Sequence, residues 1–151
     1  MRVSAGLDIS ASPEQIWAVI TDAETCARIL HGVTRFEREG DQVEGPGTRY
    51  RIIIRVGSAE IGSRVEVVEW DEPRDLTWSS ISGLDQRVRW RLRPRPGGRT
   101  HVEVRIAYGV AGAGLLGWVA ERAGAAQVGR HFRKSLLALK RQVEEERRAA
   151  R

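Results

Sequence analysis

The sequence is short of cysteine, lysine and long apolar stretches, and each shortage excludes a class of protein. Cys26 is the single cysteine in 151 residues, which excludes an internal disulfide framework and a cysteine-based zinc site. The longest apolar run that includes glycine, Gly112 to Ala120, is far shorter than the roughly 20 residues of a membrane-spanning helix. The first eight residues contain no apolar core of a signal peptide, so we expect a cytoplasmic protein.

The length and charge of the chain bear on the number of domains and on the possible partners. A chain of 151 residues predicts one domain over residues 1–151. The formal net charge is +5, and only Lys134 and Lys140 among the 25 basic residues are lysines. A genome rich in arginine codons explains such a bias, and a nucleic acid or anionic membrane partner would also suit it. Net charge alone does not separate these alternatives.

Period-two alternation of apolar and polar residues predicts seven strands. The predicted strands are Val3–Ile9, Val33–Glu39, Thr48–Val56, Glu60–Trp70, Leu76–Ser80, Asp85–Arg93 and Thr100–Val110.

Two short helices are predicted after the first strand. Ser12 is the expected N-cap of the first, with Pro13 at the first helical position and Gln15 completing a capping box. Asp22 is the expected cap of the second, which runs through Leu30.

A long amphipathic helix is predicted from near Leu115 to about Arg147. Its apolar stripe has spacings of four and three and comprises Val128, Phe132, Leu136, Leu139 and Val143. The antiparallel sheet needs a cover for its apolar face, and only this helix is long enough. The fold class is therefore α+β.

Four segments carry a resemblance to a known family. They are Ile9–Asp22, with its strand and capped helix, the glycine-rich turn Gly45–Arg49, the strand–turn–strand Val67–Trp78, and the helical Phe132–Lys140. Together with the element order, they resemble the START/Bet v 1-like (SRPBCC) superfamily, in its polyketide cyclase/dehydrase and lipid-transport branch. The resemblance implies a helix-grip fold: a seven-stranded curved antiparallel sheet wrapped around the C-terminal helix, with an apolar cavity between them.

Small residues in the long helix bear on that cavity. The stretch Ala123 to Ala126 and Gly129 either lets the helix approach the sheet closely or leaves a hollow. The sequence leaves both alternatives open, and the resemblance favours the hollow, the usual form of a small-molecule site.

Aromatic and hydroxyl side chains on the inward faces are the ligand-binding candidates. Trp78, Trp90 and Trp118 either wall a pocket or fill the core. The hydroxyls of Tyr50, Tyr108 and Ser63 are expected to point toward the helix, where each needs a partner in the core or on a ligand. The predicted ligand-binding residues are Tyr50, Ile52, Ile54, Ser63, Val65, Trp78, Trp90, Tyr108, Trp118, Val128 and Phe132.

Motifs of established catalytic or cofactor chemistry are missing from the sequence. It contains no GxSxG, Walker A, GxGxxG or HExxH pattern, and we expect no metal or cofactor. Tyr50, Arg28 and His31 are the catalytic candidates if the chain is an enzyme. Of the other histidines, His101 is expected to be exposed and His131 to flank the buried stripe.

Five arginines at period two, from Arg87 to Arg95, project from one face of a strand. They are either a solvated outer face, neutralised in part by Glu103, or an anion-binding surface. No aromatic residue alternates with them, which weakens the case for single-stranded nucleic acid binding.

Three functions remain open from the sequence. The leading hypothesis is a protein, monomeric or homodimeric, that binds a small or medium hydrophobic ligand such as a lipid, polyketide or aromatic metabolite. The first alternative is aromatase/cyclase-like cyclisation and dehydration of a polyketide. The second is a growth-inhibiting toxin that associates with ribosomes or RNA, as the resemblance implies for some relatives.

Overall fold

A computed structural model describes residues 2–109 and 114–150, and the side chains of these residues apart from 56 and 114–127. The elements, in chain order, are β1 (Arg2–Ile9), α1 (Pro13–Ile20), α2 (Ala23–Ile29), β2 (Val33–Glu39), β3 (Arg49–Val56), β4 (Ala59–Asp71), β5 (Asp75–Gly83), β6 (Asp85–Arg95), β7 (Arg99–Gly109) and α3 (Gly114–Ala149).

The seven strands form one antiparallel sheet in the order β1-β7-β6-β5-β4-β3-β2. From β2 onward each strand pairs with the next in the chain, and β1 closes the far edge against β7. The pairing of β4 with β5 shifts between Arg64 and Val65 and again between Val67 and Glu69. Such bulges bend a strand and increase its twist, which curls this sheet into a half-barrel. The fold is thus the helix-grip α+β arrangement that the sequence predicts.

The start of α1 confirms the predicted capping box. The Ser12 hydroxyl accepts a hydrogen bond from the Gln15 backbone N–H at 3.2 Å, and the Gln15 side chain accepts one from the Ser12 N–H at 2.9 Å. Two of the free N–H groups at the helix start are therefore satisfied. The helix then buries the predicted Ile16, Trp17 and Ile20.

The start of α2 differs from the prediction in its hydrogen bonding. Asp22 is the N-cap residue, but its side chain bonds no backbone N–H. Its carboxylate instead accepts a hydrogen bond from the Thr25 hydroxyl at 2.5 Å. This hydroxyl competes with the backbone N–H groups of the helix start for the carboxylate oxygens.

The C-terminal half of α3 lies on the sheet through the predicted stripe. Leu136, Leu139 and Val143 are almost fully buried. Ser10, just after β1, donates its backbone N–H to the Glu144 carboxylate at 2.9 Å and ties the end of β1 to the helix. Among the described residues, no helix combines the length and hydropathy that a membrane span needs.

The predicted strand boundaries agree with the structure to within a few residues. The largest difference is in β5, predicted to end at Ser80 but running to Gly83, because the bulge in its pairing lets the ladder continue past Ile81. The predicted strand end at Val110 and the inward face of Val56 lie outside the described residues.

Candidate functional site

An apolar cavity of about 130 Å³ lies between the inner face of the sheet, the end of α2 and α3. The described residues that line it are Leu30, His31, Val33, Phe36, Ile52, Ile54, Ile61, Trp78, Leu84, Gln86, Val88, Trp90, Ile106, Tyr108, Val128, His131, Phe132 and Ser135.

The periodicity of each element brings these side chains to one place. In β6, Gln86, Val88 and Trp90 alternate toward the cavity, because successive side chains of a strand point to opposite faces. In α3, Val128 and Phe132 are four residues apart and so lie on the same side of the helix.

Aromatic rings form a continuous wall along the sheet side. The ring centroids of Trp78 and Trp90 are 6.5 Å apart, and Phe36 lies 5.8 Å from Trp78. Tyr50 packs behind this wall, with its ring 4.9 Å from that of Phe36. Offset and edge contacts of this kind hold large apolar surfaces rigid.

The wall contains polar hydrogens that lack acceptors. Within the described part of the chain, the indole N–H groups of Trp78 and Trp90 are buried and make no hydrogen bond. A buried donor without a partner costs about 1–3 kcal/mol. Because neither nitrogen has surface that a molecule in the cavity could reach, this cost belongs to the packing of the core.

Gln86 is a buried polar side chain of the lining, at 4% exposure. Its Nε2 donates to the Ser63 hydroxyl at 3.0 Å, and that hydroxyl donates to the Leu84 carbonyl at 3.2 Å. The hydrogen-bonding capacity of Ser63 is thus used inside the sheet.

Two histidines stand at the outer end of the cavity, where His31 is exposed and His131 is half-buried. A Cβ atom on Gly32 would lie 2.2 Å from Nδ1 of His131, so the imidazole packs directly on the residue that follows His31. The Ser135 hydroxyl accepts a hydrogen bond from the His31 backbone N–H at 2.8 Å and donates one to the His131 carbonyl at 2.7 Å.

The environment of His131 favours its neutral form. Partial burial lowers the pKa of His131 below its ordinary value, and the nearby positive charges of His31, Lys134 and Arg130 lower it further.

Of the eleven predicted ligand-binding residues, seven border the cavity: Ile52, Ile54, Trp78, Trp90, Tyr108, Val128 and Phe132. Tyr50, Ser63 and Val65 are buried in the core but are not part of the cavity lining. Tyr50 lies behind Phe36, and the Ser63 hydroxyl has its partners in the core, Gln86 and the Leu84 carbonyl. The side chain of Trp118 lies outside the described residues, as do those of Ala123 to Ala126.

Apart from His31, which the sequence offered as a catalytic candidate, the remaining lining residues were not identified as site residues from the sequence. The patterns contained a signal for several of them: Gln86 continues the alternation of Val88 and Trp90, and Ser135 lies one heptad after Val128. Leu30, Val33 and Phe36 carry no such signal, because they reach the cavity through the packing of α2 and β2.

The three catalytic candidates do not converge. Burial raises the pKa of the Tyr50 hydroxyl to about 12. Arg28 lies in the last turn of α2, with its guanidinium 3.4 Å from the Thr25 hydroxyl, and only His31 borders the cavity. Cys26 is buried, and desolvation raises its thiol pKa to about 12, as expected of an inert cysteine.

The arginine ladder is neutralised differently from the prediction. Arg93 makes a two-point contact to the Asp75 carboxylate at 3.0 and 3.2 Å, and Arg91 lies 3.8 Å from the same carboxylate. Arg89 pairs with Glu69 at 3.4 Å. Strand β5 and the end of β4 thus supply the counter-charges on the outer face.

Glu103 does not take the role expected of it. It lies opposite Arg91 in the β6–β7 register, yet its carboxylate pairs with Arg105 on its own strand. His101 is likewise not free in solvent, since its Nδ1 lies 2.7 Å from the Asp8 carboxylate across β1 and β7. Directly opposed residues of neighbouring strands are close enough for such pairs.

A shallow depression of about 480 Å³ adjoins the ladder on β1, β6 and β7. Its charged lining consists of Arg2, Arg87, Arg89 and Arg105. Within the described ranges, no group of three or more His, Cys, Asp or Glu side chains is placed to hold a metal ion.

The comparisons with known proteins agree with this fold. A family model described as polyketide cyclase / dehydrase and lipid transport matches residues 1–144. No curated protein sequence is significantly similar to the chain.

Several solved structures superpose on nearly the whole chain. The Zhui aromatase/cyclase from Streptomyces sp. R1128 does so with a TM-score of 0.84 at 20% identity, over 99% of this chain and 97% of that one. A protein from Thermus thermophilus gives a TM-score of 0.83 at 21% identity, over 97% and 99% of the two chains. A START superfamily protein from Mycobacterium smegmatis gives 0.68 at 18% identity, over 94% and 98%. At these identities, the likeness establishes the fold alone.

Proposed function

The chain belongs to the polyketide cyclase/dehydrase and lipid-transport family, and from this premise we propose that it binds a small apolar molecule in the cavity between sheet and α3. The observation that carries the proposal is the cavity itself, which has aromatic walls and an apolar lining on both sides. Enclosed apolar space with a few polar groups is the usual form of a small-molecule site.

The volume of the cavity limits the size of the ligand. An apolar cavity of about 150 Å³ in another protein accommodates benzene, and the cavity here measures about 130 Å³. A single aromatic ring or a short branched chain therefore fits the space between Trp90 and Phe132. A long acyl or polyketide chain would require α3 to move away from the sheet.

Binding is favoured over catalysis because the acid–base candidates are dispersed. General acid–base chemistry needs a group within hydrogen-bond reach of the reacting proton. Tyr50 and Arg28 do not border the cavity, and burial raises the pKa of Tyr50 to about 12, further from the range in which a phenolate could act as a base. Polyketide cyclisation remains the alternative: a product profile altered by His31→Ala, with ligand affinity unchanged, would favour it.

Calorimetric titration with the neutral probe 3-phenylpropan-1-ol tests the proposal. We expect a saturable heat of binding with one probe molecule per chain. The variant Val128→Phe fills the cavity from α3 and should weaken binding by about tenfold or more, because steric overfilling of a packed site is costly.

The matched control is the same substitution at Val68, which is 46% exposed and does not line the cavity. Val68→Phe should bind the probe as the unmodified protein does. Equal affinity in the Val128→Phe and Val68→Phe variants would place the bound probe elsewhere and overturn the proposal.

A further inference from the structure

The outer end of the cavity differs chemically from its interior. The interior is aromatic and aliphatic, whereas His31 and His131 stand where the cavity meets solvent. Gly32 has a φ of +83° and leaves room for the His131 ring, whose Nδ1 would otherwise lie 2.2 Å from a Cβ atom. The Ser135 hydroxyl joins the backbones of the two histidines, so their relative position is set by the fold.

Both imidazoles have free hydrogen-bonding capacity. Within the described part of the chain, no protein group accepts a hydrogen bond from the ring nitrogens of His31 or His131, in contrast to His101, which contacts Asp8. Each imidazole therefore keeps an N–H donor for a ligand, which in His131 is at Nε2, because its Nδ1 packs on Gly32.

The charges that lower the pKa of His131 are all positive. The charged groups that act on His131 are His31 from the end of α2, and Lys134 and Arg130 from α3. Lys134 and Arg130 are exposed and carry a fixed positive charge. No aspartate or glutamate is among the described residues that line the cavity. A positive opening on an apolar cavity attracts an anion and repels a cation.

We propose that the ligand is a short apolar carboxylic acid whose carboxylate lies between the imidazoles of His31 and His131 and whose apolar part lies between Trp90 and Phe132. The inference rests on the proposed function, since it names the chemical class of the same ligand. The carboxylate accepts hydrogen bonds from the two imidazole N–H groups, and it favours the protonated form of His131. The positive charges that disfavour the imidazolium form in the empty protein are compensated once the anion is bound.

A pair of probes of equal length separates this inference from the proposed function. The neutral 3-phenylpropan-1-ol and the anion 3-phenylpropionate share the ring and the chain and differ at the terminal group. By calorimetry at about pH 5.5, we expect the carboxylate to bind about tenfold more tightly than the alcohol, as charge-assisted hydrogen bonds are stronger than neutral ones. Toward about pH 8 this advantage should shrink as His131 loses its proton, while the affinity for the alcohol should not change.

The variants His31→Gln and His131→Gln keep a polar side chain of similar size but replace the titratable imidazole with a neutral amide. In each, the carboxylate should lose affinity several-fold at about pH 5.5, and in the double variant its pH dependence should disappear. The far-UV circular dichroism spectrum and urea unfolding report that each variant is folded. His101→Gln is the matched control, because it removes a histidine outside the cavity, and it should preserve both affinities.

The outcomes are distinguishable. If the alcohol binds but the carboxylate binds no more tightly at about pH 5.5, the inference is overturned and the proposed function stands. If the pH dependence persists in the double variant, the two histidines are not the carboxylate site and the inference is overturned. If neither probe binds, the proposed function fails together with it.

Discussion

His131 is the residue whose placement most affects both stability and function. It lies on α3, packs on Gly32 and borders the cavity, so one imidazole links the long helix, the end of α2 and the ligand site. Burial and the neighbouring cations lower its pKa below the ordinary 6.5. The folded protein therefore binds this proton less readily than the unfolded chain does.

This pKa predicts the direction of a pH effect on stability. A histidine whose pKa is depressed by folding contributes stability above pH 6.5, and this contribution is lost as the pH falls below that value through the folded-state pKa. Urea unfolding at about pH 7.5 and pH 5.5 should therefore show a smaller loss of stability on acidification in His131→Gln than in the unmodified protein. Equal losses in both proteins would contradict the assignment.

Gly129 explains how α3 approaches the sheet. Its Cα faces β1, where an added Cβ would lie 3.7 Å from Cγ1 of Val3 and 3.8 Å from the Arg133 guanidinium. Both are ordinary van der Waals distances, so the space tolerates a methyl group. Of the two sequence-based alternatives, close approach therefore describes Gly129, while its neighbour Val128 borders the cavity.

Gly129→Ala is expected to stabilise the protein by about 0.5–1 kcal/mol, because alanine has the higher helix propensity and its methyl group meets no clash. The change in the free energy of unfolding, measured in urea, checks the prediction. Gly32→Ala is the opposing control: its positive φ and the contact with His131 should make that substitution destabilising. A destabilised Gly129→Ala variant would mean that α3 and β1 are closer than the structure shows.

At the scale of elements, the capping box of α1 is the clearest case of local sequence determining local structure. Ser12 and Gln15 exchange two hydrogen bonds at the helix start, and both are identifiable from their spacing. The helix that follows carries Ile16, Trp17 and Ile20 into the core. Trp17 packs edge-on against Trp70, with ring centroids 5.2 Å apart, so the cap also orients a contact with the sheet.

Ser12→Ala should cost about 1 kcal/mol of unfolding free energy, the typical loss for an N-cap side chain. Ser82→Ala provides the comparison, because Ser82 is exposed in β5 and no protein group bonds its hydroxyl within the described residues. Urea unfolding of the two variants measures both values. If Ser82→Ala costs as much as Ser12→Ala, the cap does not contribute in the way described.

The bulge in β4, at Val68, shows what the sequence pattern does not contain. Strict alternation from Val65 and Val67 would turn Glu69 inward and Trp70 outward. The register shift at Val68 reverses this, so that Glu69 meets Thr77 on the outer face and Trp70 pairs with Leu76 on the inner face. Alternation alone predicts the strands and most of the inward faces, but the position of a bulge depends on the partner strand.

The same distinction holds for the cavity lining. Trp90 and Phe132 follow from the periodicity of their own elements, so the sequence could predict that they face inward. Tyr50 also faces inward, yet Phe36 of the neighbouring strand separates it from the cavity. Which inward residue fills the core and which borders the hollow is decided by contacts between elements, and no single segment encodes them.

At the scale of the whole molecule, charge and apolar surface are separated by the sheet. Its inner face holds the cavity, while its outer face carries the arginine ladder with the carboxylates of Asp75 and Glu69. The ladder is thereby partly neutralised, which suits a solvated outer face. The positive charge around His131 lies on the other side, at the opening of the cavity. The two positive regions therefore lie on different sides of the sheet, and we assign ligand recognition to the region around His131.

The central claim is that the space between sheet and α3 holds a ring-sized apolar molecule. A crystal structure of the protein soaked with bromobenzene, recorded with the anomalous signal of bromine, tests it most directly. We expect one strong bromine peak inside the cavity, within van der Waals distance of Trp90 and Phe132. An empty cavity, or bromine peaks confined to the molecular surface, would contradict the claim.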